Sequence, residues 1–502
     1  MKAFNLIEEP WIPVRSGTTV REVGLREALL EAHRLERIEA ASPLVEVALT
    51  RLLLAVLHRA YQGPQSAREQ AQILAKGRFD AGVVTAYLDR WRDRFWLFHH
   101  TAPFWQVPDL PGDDPLPWTK LRPEFAAGNN PTLFDHTYDD TPPHASFAEA
   151  ARSLVAHQTF TPGGLIRRYG VQSGVGAPLA VSAAFFAIGA NLFHTLTQAL
   201  VPYDESDDRP IWETDPVVLS ELEGDENKQP RKKVPLFGRT RAYTWPSRGV
   251  RLLNEGSGVR YMAYGPGVHP LTDRFYQDPM VAYAKQAKTG NLVPIRLRAD
   301  KAFWRDFSAL FPEEDAGLSP QTLESARQLQ QQTGTRRVLR IEVAGQVTDQ
   351  AKVMEIRREI YPLPTHTKEH ALRIFVPRAT QLADARATCL RSGGWQLARL
   401  LLSLSRDPDK QEVRALLDSF PLLPYYWNQL GNAFSTFLEK LDENPDEAWG
   451  AWEARVREIS EVAWTVTINT VGTEARQLKA VQEAEKTWRT CLAKEARRER
   501  KG

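Results

Sequence analysis

Leu49, Leu52, Leu53 and Val56 recur at i, i+3, i+4 and i+7 within a strongly apolar stretch, the spacing of one helical face. Ser42 followed by Pro43 supplies a start signal, an N-cap and then the residue whose missing N–H costs nothing in a first turn. A helix is therefore predicted from 43 to 61. Upstream, Phe4, Leu6 and Ile7 lead into Pro10-Trp-Ile-Pro-Val14, whose two prolines predict an edge strand or a strand entering a turn. A further helix is predicted to begin near Leu25. From Phe98 to Pro143 prolines dissolve the pattern and loops are expected; so long an irregular stretch is usually functional or mobile. Helices are predicted again at 147–157 and 179–200, with a glycine-rich loop at 160–176 between them. Short apolar runs broken by Gly and Pro over 203–300 predict strands and long loops. The β-branched run 337–343 predicts a strand, and another is expected to end near Pro377.

Beyond that point the period changes to that of helices with short breaks at Asp407-Pro408, Asn444-Pro445 and Val471-Gly472. Trp427, Leu430, Phe434, Phe437 and Leu441 line one predicted face; Trp449, Trp452, Val456 and Ile459 line the next. Leu478, Val481, Ala484, Trp488 and Cys491 line the last. Apolar faces joined by short connections predict an antiparallel four-helix bundle. The expected fold class is α+β: a large mixed α/β domain over 1–376, then the bundle over 377–502.

Composition narrows the class. The chain has 502 residues, 42% apolar and 25% charged, which suits a folded protein of several domains rather than a disordered one. No apolar run reaches the roughly 18 residues of a membrane span, and the acidic start MKAFNLIEEPW lacks a signal peptide's apolar stretch, so a cytoplasmic location is expected. Two cysteines, Cys389 and Cys491, build neither a disulfide framework nor a four-cysteine zinc site and suit a reducing compartment. A net charge of +2 excludes a basic rod that coats nucleic acid, so any such binding falls to local patches. One run, from Lys228 to Arg251, carries Arg231, Lys232, Lys233, Arg239 and Arg241 with no acid; it reads as a basic patch or as a solvated loop.

No motif with a catalytic mechanism is present: no phosphate-cradling P-loop, no nucleophile elbow, no HExxH, and glycines at 170, 174 and 176 in the wrong order for a dinucleotide fingerprint. No catalytic residue, metal or cofactor is expected. Three loops are candidates for recognition instead. Asn130-Pro131 opens a turn, and Phe134 on that loop either stacks on an unpaired base or tucks into the core. Gly163-Gly164, with Arg167 and Arg168 close behind, lets a backbone approach a groove and supplies charge, or is a plain turn. Gly345–Gln350 is expected as a turn after the 337–343 strand, with a polar tip that wedges into a duplex or lies bland on the surface.

In order along the chain, these segments resemble the large-subunit family, CasA, of the type I-E CRISPR Cascade complex. Asn5-Leu-Ile-Glu-Glu-Pro-Trp-Ile-Pro-Val-Arg15 is similar to that family's N-terminal signature, and the three loops and terminal bundle follow in the family's order. The resemblance implies a non-catalytic, cytoplasmic subunit. Its implied partners are the backbone, small and 5′-handle-capping subunits, CRISPR RNA, double-stranded target DNA and a recruited helicase-nuclease, with no membrane. It implies that Asn130, Leu133, Phe134 and Asp135 belong to the loop that meets the guide handle and supports binding of the protospacer-adjacent motif (PAM), either Leu133 or Phe134 taking the aromatic role. Gly163 and Gly164 would face the PAM minor groove. Gln350, with Asp349 before it, would be the wedge that starts the R-loop. Residues 250–270 hold no cysteine, so the zinc insert of some relatives is not expected. The family's PAM-contacting lysine has no aligned counterpart, and the basic run is the candidate source of that charge. The rival readings are a nuclease with an unrecognised site and a scaffold that only joins subunits.

Overall fold

The computed structural model describes residues 2–124, 142–203, 207–271, 276–313, 315–334, 338–403 and 407–499. The chain divides into two compact units, one of residues 1–301 and 314–360, the other of 302–313 and 361–502. The boundary expected at 376/377 is corrected: it falls inside a helix, Glu369–Leu402, that runs through Pro377. The strand expected to end near Pro377 is the hairpin strand Lys352–Leu363, which stops well before it.

At the centre of the first unit lies the helix Pro43–Tyr61, entered through Ser42 and Pro43 as the sequence predicts. It is buried on every side from Leu44 to His58, not on one face alone, because helices and strands pack all round it. Its polar residues are therefore paired inside the core. Arg51 makes a two-pronged ion pair with Asp278 at 3.0 and 2.7 Å and lies 4.3 Å from the Tyr243 ring centroid. Glu46 accepts from the Ala40 N–H and pairs with Arg358, which also bonds Glu342. Burial pushes the Glu46 carboxyl up to about 7 against the pull of Arg358.

Around this helix are small sheets. The N-terminal strand Ile12–Ser16 enters a turn at Gly17-Thr18, one of the two expected placements, and is central in its sheet, between Thr19–Val23 and Arg37–Ile38, not at an edge. The partner at 37–38 pairs only with Val14 and Arg15, so Pro13 needs no N–H on that side. The helix expected at 179–200 is a strand, Ala184–Ile188, followed by a short helix, Leu192–Ala199. Ala-Phe-Phe-Ala-Ile is a short apolar run, which fits a buried strand as well as a helix, and pairing with Leu339–Asp349 decides it. The glycine-rich segment is likewise a hairpin, not a loop: Gly164–Arg168 pairs with Val171–Gly174.

The second unit holds four long helices, Glu369–Leu402, Leu422–Leu441, Pro445–Ile468 and Ala475–Glu499, and one short one, Lys410–Ser419, among its described residues. Phe434, Phe437 and Trp452 pack together as predicted, joined by Trp304 from the 302–313 segment at 5.2 Å from Phe434. On the last helix Ala484 and Trp488 are buried as expected, but Leu478 is 55% exposed, so the buried face begins near Ala480. Trp464 and Trp488 stack at 4.9 Å over Gly393, where an added Cβ would lie 2.7 Å from that of Trp488. Cys389 and Cys491 are joined in a disulfide between the first and last helices, where free thiols were expected. No helix among the described residues is long and apolar enough to cross a membrane.

Candidate nucleic-acid interface

The open end of one hairpin and the tip of another, both in the first unit, meet at one cavity of about 820 Å³. The glycine hairpin begins at Gly163-Gly164 and turns at Tyr169-Gly170, both with positive φ, as a two-residue hairpin turn requires. The second hairpin joins Leu339–Asp349 to Lys352–Leu363 through Gln350 and Ala351. The turn expected over 345–350 is thus shorter: the strand continues to Asp349 because Gly345 to Val347 are buried in the core. Gln350 has φ 53°, a place hairpins usually give to glycine, and holding a side chain there costs about 1–3 kcal/mol. Its side chain is exposed at the tip, beside exposed Asp349.

The two touch. A Cβ built on Gly164 would lie 3.1 Å from the Cβ of Ala351, so only glycine lets the hairpins come this close without displacement. Gly163, Gly164 and Gln350 all border the same cavity. Gly164 and Gln350 stand 186 residues apart in the chain (350 − 164), with no local link between them. Two exposed cations border the same cavity, Lys352 beside the tip and Lys120, whose Nζ lies 5.4 Å from the Tyr264 ring centroid; a third, Arg167, is exposed further along the glycine hairpin. None of the three has a carboxylate partner among the described residues. Arg168 is taken up by Asp114 at 2.6 Å.

Beneath the rim, Arg248 is 3% exposed and donates to the carbonyls of Pro162 and Val175, one on each flank of the glycine hairpin. His157 bonds the Tyr264 hydroxyl at 3.1 Å. Burial, then the nearby charges of Arg248 and Lys120, push its imidazole down to about 3, so it is neutral in the fold. A depressed folded pKa contributes stability above the unfolded value of about 6.5 that is lost as pH falls towards 3. Acidification from pH 7 to 5 is expected to cost about 2 kcal/mol through this residue. His157→Gln, compared by denaturant unfolding at both values, is expected to lose correspondingly less; an unchanged difference would contradict it.

Much of the basic run is paired or buried. Arg231 pairs with Glu223 and Lys232 with Glu221. Arg239 is buried, donating to the Val201 carbonyl and lying 4.9 Å from the Tyr203 ring centroid. Arg241 packs on Trp245, and burial lowers its pKa. Lys228 and Lys233, the latter on a strand paired with His269–Leu271, stay exposed without a carboxylate among the described residues. The acids that neutralise this run, Glu221 and Glu223, precede it in sequence, and its buried members find carbonyls far along the chain. Asn130, Leu133, Phe134 and Asp135 lie outside the described residues. Lys120, His157 and Gln346 were not singled out by sequence reasoning; nothing local marks them, because their roles depend on which distant strands they meet.

The chain thus holds a large α/β unit with two touching hairpins and a helical unit, and comparison with known proteins places it among CRISPR-associated large subunits. A family model described as CRISPR-associated protein Cse1 matches residues 5–466, and the chain belongs to that family. It is 47% identical over 493 residues to CRISPR-associated protein CasA/Cse1 of Thermus thermophilus, covering 97% of this chain and 96% of that one. The structure of Thermus thermophilus CasA (Cse1) superposes with a TM-score of 0.88 at 44% identity, covering 98% of this chain and 100% of the other. The fold also matches Thermobifida fusca Cse1, with a TM-score of 0.81 at 24% identity over 98% of each chain.

Proposed function

We propose that this chain is the PAM-recognising subunit of an RNA-guided surveillance complex and that it binds rather than cleaves DNA. In this reading it works in the cytoplasm with the other Cascade subunits, CRISPR RNA and double-stranded target DNA, and helps recruit a helicase-nuclease. Gly163-Gly164 approaches the minor groove, Gln350 enters the duplex beside it, and the 128–136 loop carrying Phe134 engages the guide handle. The observation that carries the reading is the contact of the glycine hairpin with the Gln350 turn at Gly164 and Ala351. A backbone held against the groove and an amide side chain held beside it can act on adjacent base pairs. The minor groove is poor in sequence information, so such a site reads few bases. Lys120, Arg167 and Lys352 supply phosphate attraction that the paired and buried members of the basic run do not.

The reading is tested in the reconstituted complex with guide RNA, using duplexes that do and do not carry the motif. Binding that ignores the motif, or cleavage of labelled duplex by the purified chain with divalent metal, would sink it. Within that assay Gly164→Val is expected to push the Gln350 tip away from the glycine hairpin and weaken motif-dependent binding about tenfold, some 1.4 kcal/mol. Gly164→Ala, which needs a shift of only a few tenths of an ångström, is expected to have a smaller effect. Equal binding by both variants and the native chain would contradict the contact's importance.

A further inference from the structure

We infer that Gln346 is a positioning residue that locks the Gln350 turn to the base of the glycine hairpin; this rests on the wedge reading above. The ladder between Leu339–Asp349 and Ala184–Ile188 runs from Arg340 opposite Ile188 to Ala344 opposite Ala184 and ends there. From Gly345 to the tip the strand loses that partner. Gln346 takes over at this point. Its side chain belongs to a residue 2% exposed, and its Nε2 donates to the Phe160 carbonyl at 2.6 Å and the Ala180 carbonyl at 2.8 Å.

Those two carbonyls flank the glycine hairpin. Between them the chain is closed into a neck by Ala177 N–H to Thr161 O at 2.9 Å and Leu179 N–H to Thr159 O at 3.1 Å. Arg248 clasps the same neck from Pro162 to Val175. Gln346 is thus the side-chain bridge from the neck to the strand that ends in the wedge, four residues before Gln350. A primary amide suits this place because one nitrogen offers two hydrogens to two fixed acceptors. A loose bridge would let the tip shift relative to the hairpin, and a displacement of about 1 Å is enough to spoil a positioned group.

The test uses the complete complex with guide RNA and two targets that share the motif, one fully paired and one mismatched at the first base pairs so that it is already open. Opening is followed with a fluorescent base analogue at the first pair. Gln346→Met, close in volume, is expected to slow opening of the paired target about tenfold while binding of the pre-opened target stays within about twofold. Equal losses on both targets, the pattern of a merely structural role, would overturn the inference, as would no loss on either. Gln350→Ala is measured alongside. If it also fails to separate the two targets, the wedge reading and this inference fall together. If it separates them and Gln346→Met does not, only this inference falls. Should the Met variant not enter the complex, Gln346→Glu keeps the shape. Its carboxylate repels the two carbonyls and its protonated form donates to one, so its opening defect is expected to shrink as pH falls. A defect independent of pH would overturn the proposal.

Discussion

Replacing Gln350 with alanine is expected to slow motif-dependent opening of a paired duplex by the assembled complex at least about tenfold, with assembly and binding of a pre-opened target nearly unchanged. Separating one base step costs a few kcal/mol, and a side chain inserted at that step offsets part of it. Losing about 1.4 kcal/mol of that compensation is a factor of ten. Gln350 stands where such an insertion can be made, exposed at a two-residue tip and next to a glycine hairpin whose contact fixes its position. Its positive φ permits a sharper test. Glycine adopts this backbone without strain, so Gln350→Gly should be at least as stable as the native chain and still fail to open the duplex. Stability and opening then move in opposite directions. If the glycine variant opens DNA as well as the native chain, the side chain is not the wedge and the turn's shape alone matters.

The same region marks how far sequence reasoning reached. Where local chemistry decides the structure, it was legible. Ser42 and Pro43 start a helix wherever they stand before an apolar run, and Trp452, Val456 and Ile459 line a helical face because 3.6-residue periodicity needs no partner to be visible. Where a distant partner decides, it was not. Ala184–Ile188 is a strand because Arg340 to Ala344 pair with it, and Arg239 is buried because the Val201 carbonyl receives it. Pro377 sits inside a helix that a stop signal would have denied. Of the candidate site, Gly163-Gly164 and the Gly345–Gln350 turn were picked out by pattern and given their expected roles by family resemblance, and their contact could not be read from either. The residues that hold them, Arg248 and Gln346, bond only main-chain carbonyls, a kind of partner that leaves no trace in sequence.

The frame behind the hairpins is where a single substitution should do most damage. Asp278→Ala is expected to lower the stability of the chain by about 3–5 kcal/mol, out of the 5–15 kcal/mol typical of folded domains. Its carboxylate takes two hydrogen bonds from Arg51, which is wholly buried in the 43–61 helix, and one from the Met280 N–H. Asp278 holds the guanidinium's pKa up against the burial that would lower it. Removing Asp278 leaves a cation in the core with the Ala242 carbonyl, at 3.5 Å, and the neutral side chains of Tyr243 and Tyr276 near it among the described residues. The same helix packs on the 339–349 strand, so the loss is transmitted to the base of the hairpin that carries Gln350. Arg51→Met with Asp278→Leu removes both charges together and fills the space, and should recover most of the stability, because a buried ion pair is worth little more than its apolar replacement. Denaturant unfolding of the single and double variants decides the matter. A single variant as stable as the native chain would mean that water or a rearranged side chain reaches Arg51, and that the core of this unit is less rigid than its close packing implies.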